Sequence, residues 1–432
     1  MANLKVRFCG IESPNPFWLA SGPPTNTGGQ VMRAFDAGWG GAVWKTIGEP
    51  IQNTSSRYGA VDLNGVKMMG LNNIELISDR PIETNLREIA EVKKRYPKHL
   101  VIASLMVESK RDAWHEIVHR AEDAGSDALE LNFGCPHGMS ERGMGAAVGQ
   151  VPEYTEMITS WAKEAAKTPV ISKLTPNVTD VTHIALAAER GGADAVSLIN
   201  TINSLMGVDL ETFAPRPNVA GKSSHGGYCG PAVKPIALHL VSSVAKKVKV
   251  PIVGIGGIGN WLDAAEHIAL GASVVQVCTA AMHYGFRIVE DMADGLNAYM
   301  DDHNYRTIED FRGRAVPNVM DWGDLDLNYK IIAKIHTELC IGCQLCYVAC
   351  EDGAHQCIER ASSKNRDGKR NSNGMEVHVP RIIENECVGC NLCALVCPVD
   401  ACITMEQIHN GLPPMSWKQK TSGATGSSAP RV

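Results

Sequence analysis

Ten of the chain's 14 cysteines fall in the last 93 of its 432 residues, and eight of these form two runs with one spacing, C-x2-C-x2-C-x3-C. The first run is Cys340, Cys343, Cys346 and Cys350, and the second is Cys387, Cys390, Cys393 and Cys397. Three thiolates in a tight loop can hold one face of a 4Fe-4S cube, while the fourth opens a helix that leads to another cube. The spacing therefore predicts two clusters with crossed ligands. Cys340, Cys343, Cys346 and Cys397 hold one, and Cys387, Cys390, Cys393 and Cys350 hold the other. Two zinc sites are the alternative for any CxxC pair, but four cysteines per run favour iron-sulfur. Cys357 and Cys402 lie outside the ligand spacing and read as small buried apolar residues.

A disulfide framework would need export, and the N-terminus MANLKVRFCG has no apolar signal core. A reducing, cytoplasmic setting is expected, in which clustered cysteines act as ligands. No apolar run approaches the roughly 18 residues of a membrane span, and a net charge of -6 offers no basic surface to nucleic acid.

The cysteine runs sit in a short region, 324–410, that reads as a small α+β, bacterial-ferredoxin-like domain with an internal repeat. Pro398 follows the second run as the pattern expects, whereas Glu351 follows the first, which alters the local turn and leaves ligation intact. The polar stretch Glu359 to Gly374 interrupts the repeat, and 411–432 reads as a flexible tail.

Residues 1–323 carry a different recurring signature, in which a helical segment ends in Gly and an apolar strand follows. It occurs at Ala34 to Thr46, Ala121 to Asn132, Ala188 to Asn200 and His267 to Cys278. Glycine there caps the helix, and the short apolar strand suits a parallel sheet buried on both faces. Further strands are expected at Phe17 to Ser21, Leu100 to Leu105, Pro169 to Leu174 and Pro251 to Gly256, with helical patterns such as Ser109 to Ala124 and Pro152 to Ala166 between them. Eight alternations over this length predict a (β/α)8 TIM barrel rather than an open doubly wound sheet.

A cluster domain moves single electrons, so the barrel is expected to hold a flavin that converts them to two-electron chemistry. Its phosphate would sit after strands seven and eight, at Gly254 to Gly259 and at Cys278-Thr279, where backbone N–H groups open helices. The G-x-G-x-x-G match within the first stretch is discounted as a dinucleotide fingerprint, because no acidic strand end follows about 20 residues later. The nicotinamide site is therefore expected on a partner. Polar strand ends, which read as catalytic in a barrel, are Ser21, Lys45-Thr46, Asn132, Lys173 and Asn200-Thr201. Two lysines within apolar strands call for a buried anion or dipole, and a reduced flavin would be such a partner. The Gly-rich loop Asn132 to Gln150 has the composition of a lid, and its Cys135, just after Asn132, is the candidate reactive thiol.

Several of these stretches together, NFGCPHGMSERGMG (Asn132 to Gly145), SKLTPNVTD, LNNIELIS, GKSSHGGYCG and QVCTA, closely resemble dihydropyrimidine dehydrogenase. The two-domain length looks like the PreA-type catalytic subunit of the bacterial NAD-dependent enzymes. The resemblance implies an oxidoreductase acting on a CH-CH bond, the 5,6 double bond of uracil or thymine. It implies that Asn73, Asn132, Asn200 and Thr201 bind the pyrimidine, with Glu75 nearby. Ala20, Ser21, Lys45, Thr46, Lys173, Gly227, Gly256, Gly257, Cys278 and Thr279 would contact FMN. Cys135 would be the general acid toward C5, a thiol being protonated at neutral pH because its ordinary pKa is near 8.5.

The resemblance further implies a PreT-type partner subunit carrying FAD and the NAD(H) site, in a heterotetramer. One position departs from the family: Gly134 stands where Ser is usual, removing a hydroxyl and loosening the loop. Two other classes are set against this reading, a dihydroorotate dehydrogenase-like flavoenzyme and an electron-transfer iron-sulfur subunit with no substrate of its own. Convergent polar groups at a barrel mouth count against the second.

Overall fold

The computed structural model describes residues 2–136, 138–360 and 378–422. It divides into two compact units, Met1–Val319 and Met320–Val432.

The first unit is a closed barrel of eight parallel strands that follow one another in chain order around the ring. They are β1 (Phe17–Leu19), β2 (Gly41–Val43), β3 (Leu100–Leu105), β4 (Ala128–Asn132), β5 (Val170–Lys173), β6 (Ala195–Leu198), β7 (Ile252–Ile255) and β8 (Ala272–Val277). All eight expected strands are present. The four turn glycines of the recurring signature, Gly38, Gly125, Gly192 and Gly271, have φ of 111°, 89°, 90° and 111°. A side chain is disfavoured there, so each marks a helix end. The helix Arg111–Asp123 shows why these segments pack as they do: Trp114, Ile117, Val118 and Ala121 recur at helical spacing and are the residues it buries. Both faces of the strands are apolar, and Trp18, Ile102, Leu129, Val170, Val253 and Val275 are fully shielded from water.

One element has no counterpart in the sequence reading. A four-stranded sheet, ordered Ile202–Ser204, Gly226–Cys229, Val66–Asn73, Tyr58–Leu63, is built from the segments after β2 and β6. Its outer strand is exposed along nearly its whole length, so it lacks the alternation by which a strand is read.

The second unit pairs Ile331–Ile335 with Ile403–Gln407 and Ile358–Glu359 with Arg381–Ile382, both antiparallel. The helices Leu345–Gly353 and Leu392–Leu395 follow the two cysteine loops. The expected boundary at 323/324 falls four residues past the division. Residues 411–422, expected as a flexible tail, are held: the Leu327 N–H donates to the Met415 carbonyl at 2.8 Å and the Asn328 side chain to Pro413 at 2.7 Å. Trp322 packs on Trp417 of the helix Trp417–Ser422. The remainder of the expected tail, 423–432, and most of the polar stretch, 361–374, lie outside the described residues.

Candidate active site

A cavity of about 500 Å³ opens at the C-terminal ends of the barrel strands, within the range of small-molecule and cofactor sites. Its wall includes Ala20, Ser21, Lys45, Thr46, Asn73, Glu75, Asn132, Cys135, Lys173, Asn200, Thr201, Gly256, Gly257, Cys278 and Thr279. Of the barrel residues anticipated from sequence, Gly227 alone is off that wall. It stands in the four-stranded sheet, where its carbonyl accepts from Asn73 Nδ2 at 3.1 Å. A Cβ there would come within 2.0 Å of Thr201 Oγ1.

The amides of the wall form one chain. Asn200 Nδ2 donates to Asn132 Oδ1 at 3.0 Å, Asn132 Nδ2 to Thr46 Oγ1 at 2.9 Å, and Thr46 Oγ1 meets Ser104 Oγ at 2.9 Å. The Thr46 N–H donates to Ser21 Oγ at 3.1 Å. Ends of β4 and β6 and the turns after β1 and β2 are thereby held in one register. Gly134 is part of this arrangement, since a Cβ at that position would stand 2.4 Å from Asn200 Cβ. Space that a serine would need is filled by Asn200, and the Gly134 N–H donates to Asn132 Oδ1 at 3.2 Å.

Cys135 is 8% exposed and packs with Ile77, Met106, Met139 and Met144. Its carbonyl accepts from Ser140 Oγ at 2.8 Å and from the Ala146 N–H at 3.0 Å. The loop expected as a lid is thus folded back on its own cysteine, with Gly145 at φ 58° allowing the close approach. His137 of that loop is outside the described residues.

Each of the two lysines has a carboxylate partner within the chain. Lys45 pairs with Glu75, which also accepts from Tyr58 Oη and from Arg57 Nη1, the latter at 3.2 Å. Lys173 Nζ lies 3.3 Å from Glu130 Oε1. The buried anion that the lysines required is therefore supplied by Glu75 and Glu130. Glu130 was missed in the sequence, although a lone Glu in the apolar run ALELN is a legible signal. Burial and the Glu75 contact raise the Tyr58 hydroxyl well above its ordinary range, which keeps it a donor.

On the β7 and β8 side, Gly256 and Gly257 have φ of 123° and 74°. A Cβ on Gly256 would stand 2.8 Å from Ala237 Cβ, and one on Gly257 would stand 2.6 Å from the Lys234 backbone. Bare backbone is exposed here as a phosphate cradle requires, and with the lysine pairs and convergent amides the wall fits FMN. Behind the cradle, His267 Nε2 meets the Gly256 carbonyl at 3.2 Å. Lys234 is bound to Asp263 and Glu266 at 2.7 and 2.9 Å. Burial pushes the Cys229 and Cys278 thiols up to about 11 and about 12, so both stay neutral.

In the second unit the cysteines gather into two small cavities. One is lined by Cys340, Cys343, Cys346, Cys397 and Cys402, the other by Cys350, Cys387, Cys390, Cys393 and Cys357. These are the two crossed quartets, each with a fifth cysteine added. The loops are near copies, with Gly342 and Gly389 both at φ 71° and Gln344 and Asn391 at 64° and 71°. Two left-handed residues per loop turn the chain so that three cysteines of each run line one cavity. Cys357 and Cys402 are buried, as expected, and the Cys357 N–H donates to Cys350 Sγ at 3.2 Å.

Comparison with known proteins extends this geometry. The dihydroorotate dehydrogenase family model matches residues 3–300, and the 4Fe-4S dicluster domain model matches 333–405. The chain is 42% identical over 361 residues to NAD-dependent dihydropyrimidine dehydrogenase subunit PreA of Escherichia coli, covering 83% of this chain and 87% of that one. It is 44% identical over 328 residues to the chloroplastic dihydropyrimidine dehydrogenase (NADP(+)) of Arabidopsis thaliana, covering 73% and 77%. It is 36% identical over 313 residues to the dihydroorotate dehydrogenase B (NAD(+)) catalytic subunit of Pyrococcus horikoshii, covering 72% and 98%.

Two outcomes follow from the site. Cys397→Ala and Cys340→Ala should each remove the same cluster, leaving about four of eight irons and one shared residual EPR spectrum. Cys387→Ala should leave the other spectrum, and a Cys397→Ala spectrum matching Cys387→Ala would contradict the crossing. Second, burial pushes the His267 imidazole down to about 4, whereas the unfolded chain protonates it near 6.5. The unfolded state then binds the extra proton between those values, and stability is lost as pH falls through the window. In urea unfolding, His267→Gln should abolish roughly 2 kcal/mol of the loss between about pH 7.5 and pH 5, and an unaltered loss would contradict the assignment.

Proposed function

The chain belongs to the dihydroorotate dehydrogenase family, in the branch whose barrel is joined to a 4Fe-4S dicluster domain, and on that premise we propose that it is the catalytic subunit of a dihydropyrimidine dehydrogenase. The observation that carries this reading is the linked amide wall Asn132–Asn200, which lines one cavity together with Asn73, Thr201 and Cys135. Uracil and thymine present alternating amide donors and acceptors, and a wall of asparagines can match both. Bound FMN supplies hydride transfer and exchanges single electrons with the clusters.

The chain's own residues do the rest. Asn73, Asn132, Asn200 and Thr201 orient the pyrimidine, and Glu75, held by Lys45 and Arg57, closes the side of the site toward the four-stranded sheet. Cys135, shielded by three methionines and anchored through its carbonyl, holds a proton for C5. Ala20, Ser21, Lys45, Thr46, Lys173, Gly256, Gly257, Cys278 and Thr279 hold the FMN, with Gly227 supporting the wall from behind through Asn73.

The NAD(H) site would reside on a partner, since the Gly254 to Gly259 stretch is not followed by the acidic strand end of a dinucleotide site; the likeness to subunit PreA of Escherichia coli favours a PreT-type subunit that carries it with FAD, in a heterotetramer. Among the described residues no helix is long and apolar enough to cross a membrane; the cytoplasm is the proposed setting because the clustered cysteines are read as cluster ligands, which need a reducing compartment.

The dihydroorotate reading has the likeness to the Pyrococcus horikoshii protein in its favour. That match spans 98% of the relative and leaves more than a quarter of this chain unmatched, so it does not account for the cluster unit.

Stopped-flow mixing separates the two. Chemically reduced protein should be reoxidised by uracil or thymine and not by orotate, and no reoxidation by either pyrimidine would contradict the proposal. Cys135→Ala should retain FMN and both clusters while turnover falls about 100-fold or more. Undiminished turnover would remove Cys135 as the acid.

A further inference from the structure

Glu130 lies in the middle of β4, two residues before Asn132, so both side chains point into the barrel and Glu130 sits roughly 7 Å below the mouth. It is fully shielded from water, the least favourable place for a carboxylate unless it is paired. Three groups converge on it. Lys173 Nζ is 3.3 Å from Oε1, while Ser197 Oγ and Gln276 Nε2 donate to Oε2 at 3.1 and 3.0 Å. Lys173 and Gln276 are on the cavity wall; Glu130 itself is not.

The carboxylate therefore reaches the cavity only through those two side chains. With its Nε2 committed downward to Glu130, Gln276 keeps an acceptor, Oε1, that is buried and has no hydrogen-bond partner among the described residues. Such an arrangement presents one cation and one open acceptor to whatever fills the cavity. The pyrimidine end of an isoalloxazine has a matching N–H donor beside carbonyl oxygens, and it becomes anionic when the flavin is reduced.

We propose that Glu130 is a positioning residue for the flavin: it holds the Lys173 ammonium and the Gln276 amide in place on the cavity wall and offsets part of the ammonium's charge, thereby setting how far a reduced, anionic flavin would be favoured there. The proposal rests on the reading that FMN fills this cavity. An uncompensated ammonium next to the ring would stabilise the reduced anion further, because opposite charges interact strongly away from bulk water. Removing the Glu130 charge thus makes the bound flavin easier to reduce.

The test is an anaerobic reductive titration of the bound FMN against a reference dye in wild-type protein and Glu130→Gln, with the cluster absorbance subtracted using a flavin-depleted sample. Glu130→Gln should shift the two-electron equilibrium toward reduction by about tenfold or more, a midpoint about 30 mV more positive. A variant that binds FMN with an unmoved or more negative midpoint overturns the proposal, because a merely structural role leaves the midpoint unchanged. Wild-type protein that binds no FMN would instead sink the cofactor reading on which it rests. Should Glu130→Gln give no folded protein, Glu130→Asp keeps the charge and draws it back from Lys173 by one methylene. Its midpoint should move in the same direction by less than tenfold, and no movement overturns the proposal equally.

Discussion

Two ammonium groups stand at the mouth of the barrel with almost no access to water, and the site depends on how they are balanced. Lys45 and Lys173 are each 5% exposed, and an isolated buried cation is costly enough that it pairs or loses its charge. Glu75 and Glu130 meet them from opposite directions. Glu75 stands two residues past the strand Val66–Asn73, so the pairing with Lys45 ties the four-stranded sheet to the barrel, while Glu130 rises from within it. Breaking either pair would leave a buried charge uncompensated, at a cost of about 3–5 kcal/mol. The same pairs keep the cavity close to neutral and leave the cations within reach of a ligand that becomes anionic.

The amide chain Asn200–Asn132–Thr46–Ser104 extends this logic from charge to hydrogen bonding. Each member satisfies the next, so the wall is rigid before any substrate arrives, and an amide-bearing ring finds donors and acceptors already aimed. Gly134 belongs to that rigidity. Expected as a loosening of the loop, it is the position whose missing side chain admits Asn200. In the second unit, duplication does comparable work. Two loops with matched left-handed residues each gather three thiols, and each following helix carries its fourth cysteine to the other cavity. Neither cavity is complete without both halves of the repeat, so metal binding and folding of this unit are coupled.

Much of this was legible in the residues. The four helix-ending glycines announced the barrel because a left-handed turn between helix and buried strand leaves an unmistakable local pattern, and the cysteine spacing announced the crossed quartets. Strand-end polar residues located the mouth. The four-stranded sheet was not legible, since Tyr58–Leu63 is exposed along most of its length and carries no two-residue alternation. Asn73 and Glu75, which arrive on or just after that sheet, were therefore reachable only through resemblance to a family. Glu130 was visible as a charge inside an apolar strand, but its partners come from β5, β6 and β8, and sequence order does not bring those together. Gly227 shows the converse: a residue matched by motif that supports the wall from behind.

The central claim is that one chain joins a flavin barrel to two iron-sulfur clusters so that a pyrimidine ring can be reduced at Cys135. Its most direct test is the absorption spectrum of anaerobically purified protein with FMN, iron and zinc quantified on the same sample. The account predicts one FMN and about eight irons per chain, with flavin and cluster bands that both bleach on reduction. Zinc in place of iron, or a barrel without flavin, would contradict it.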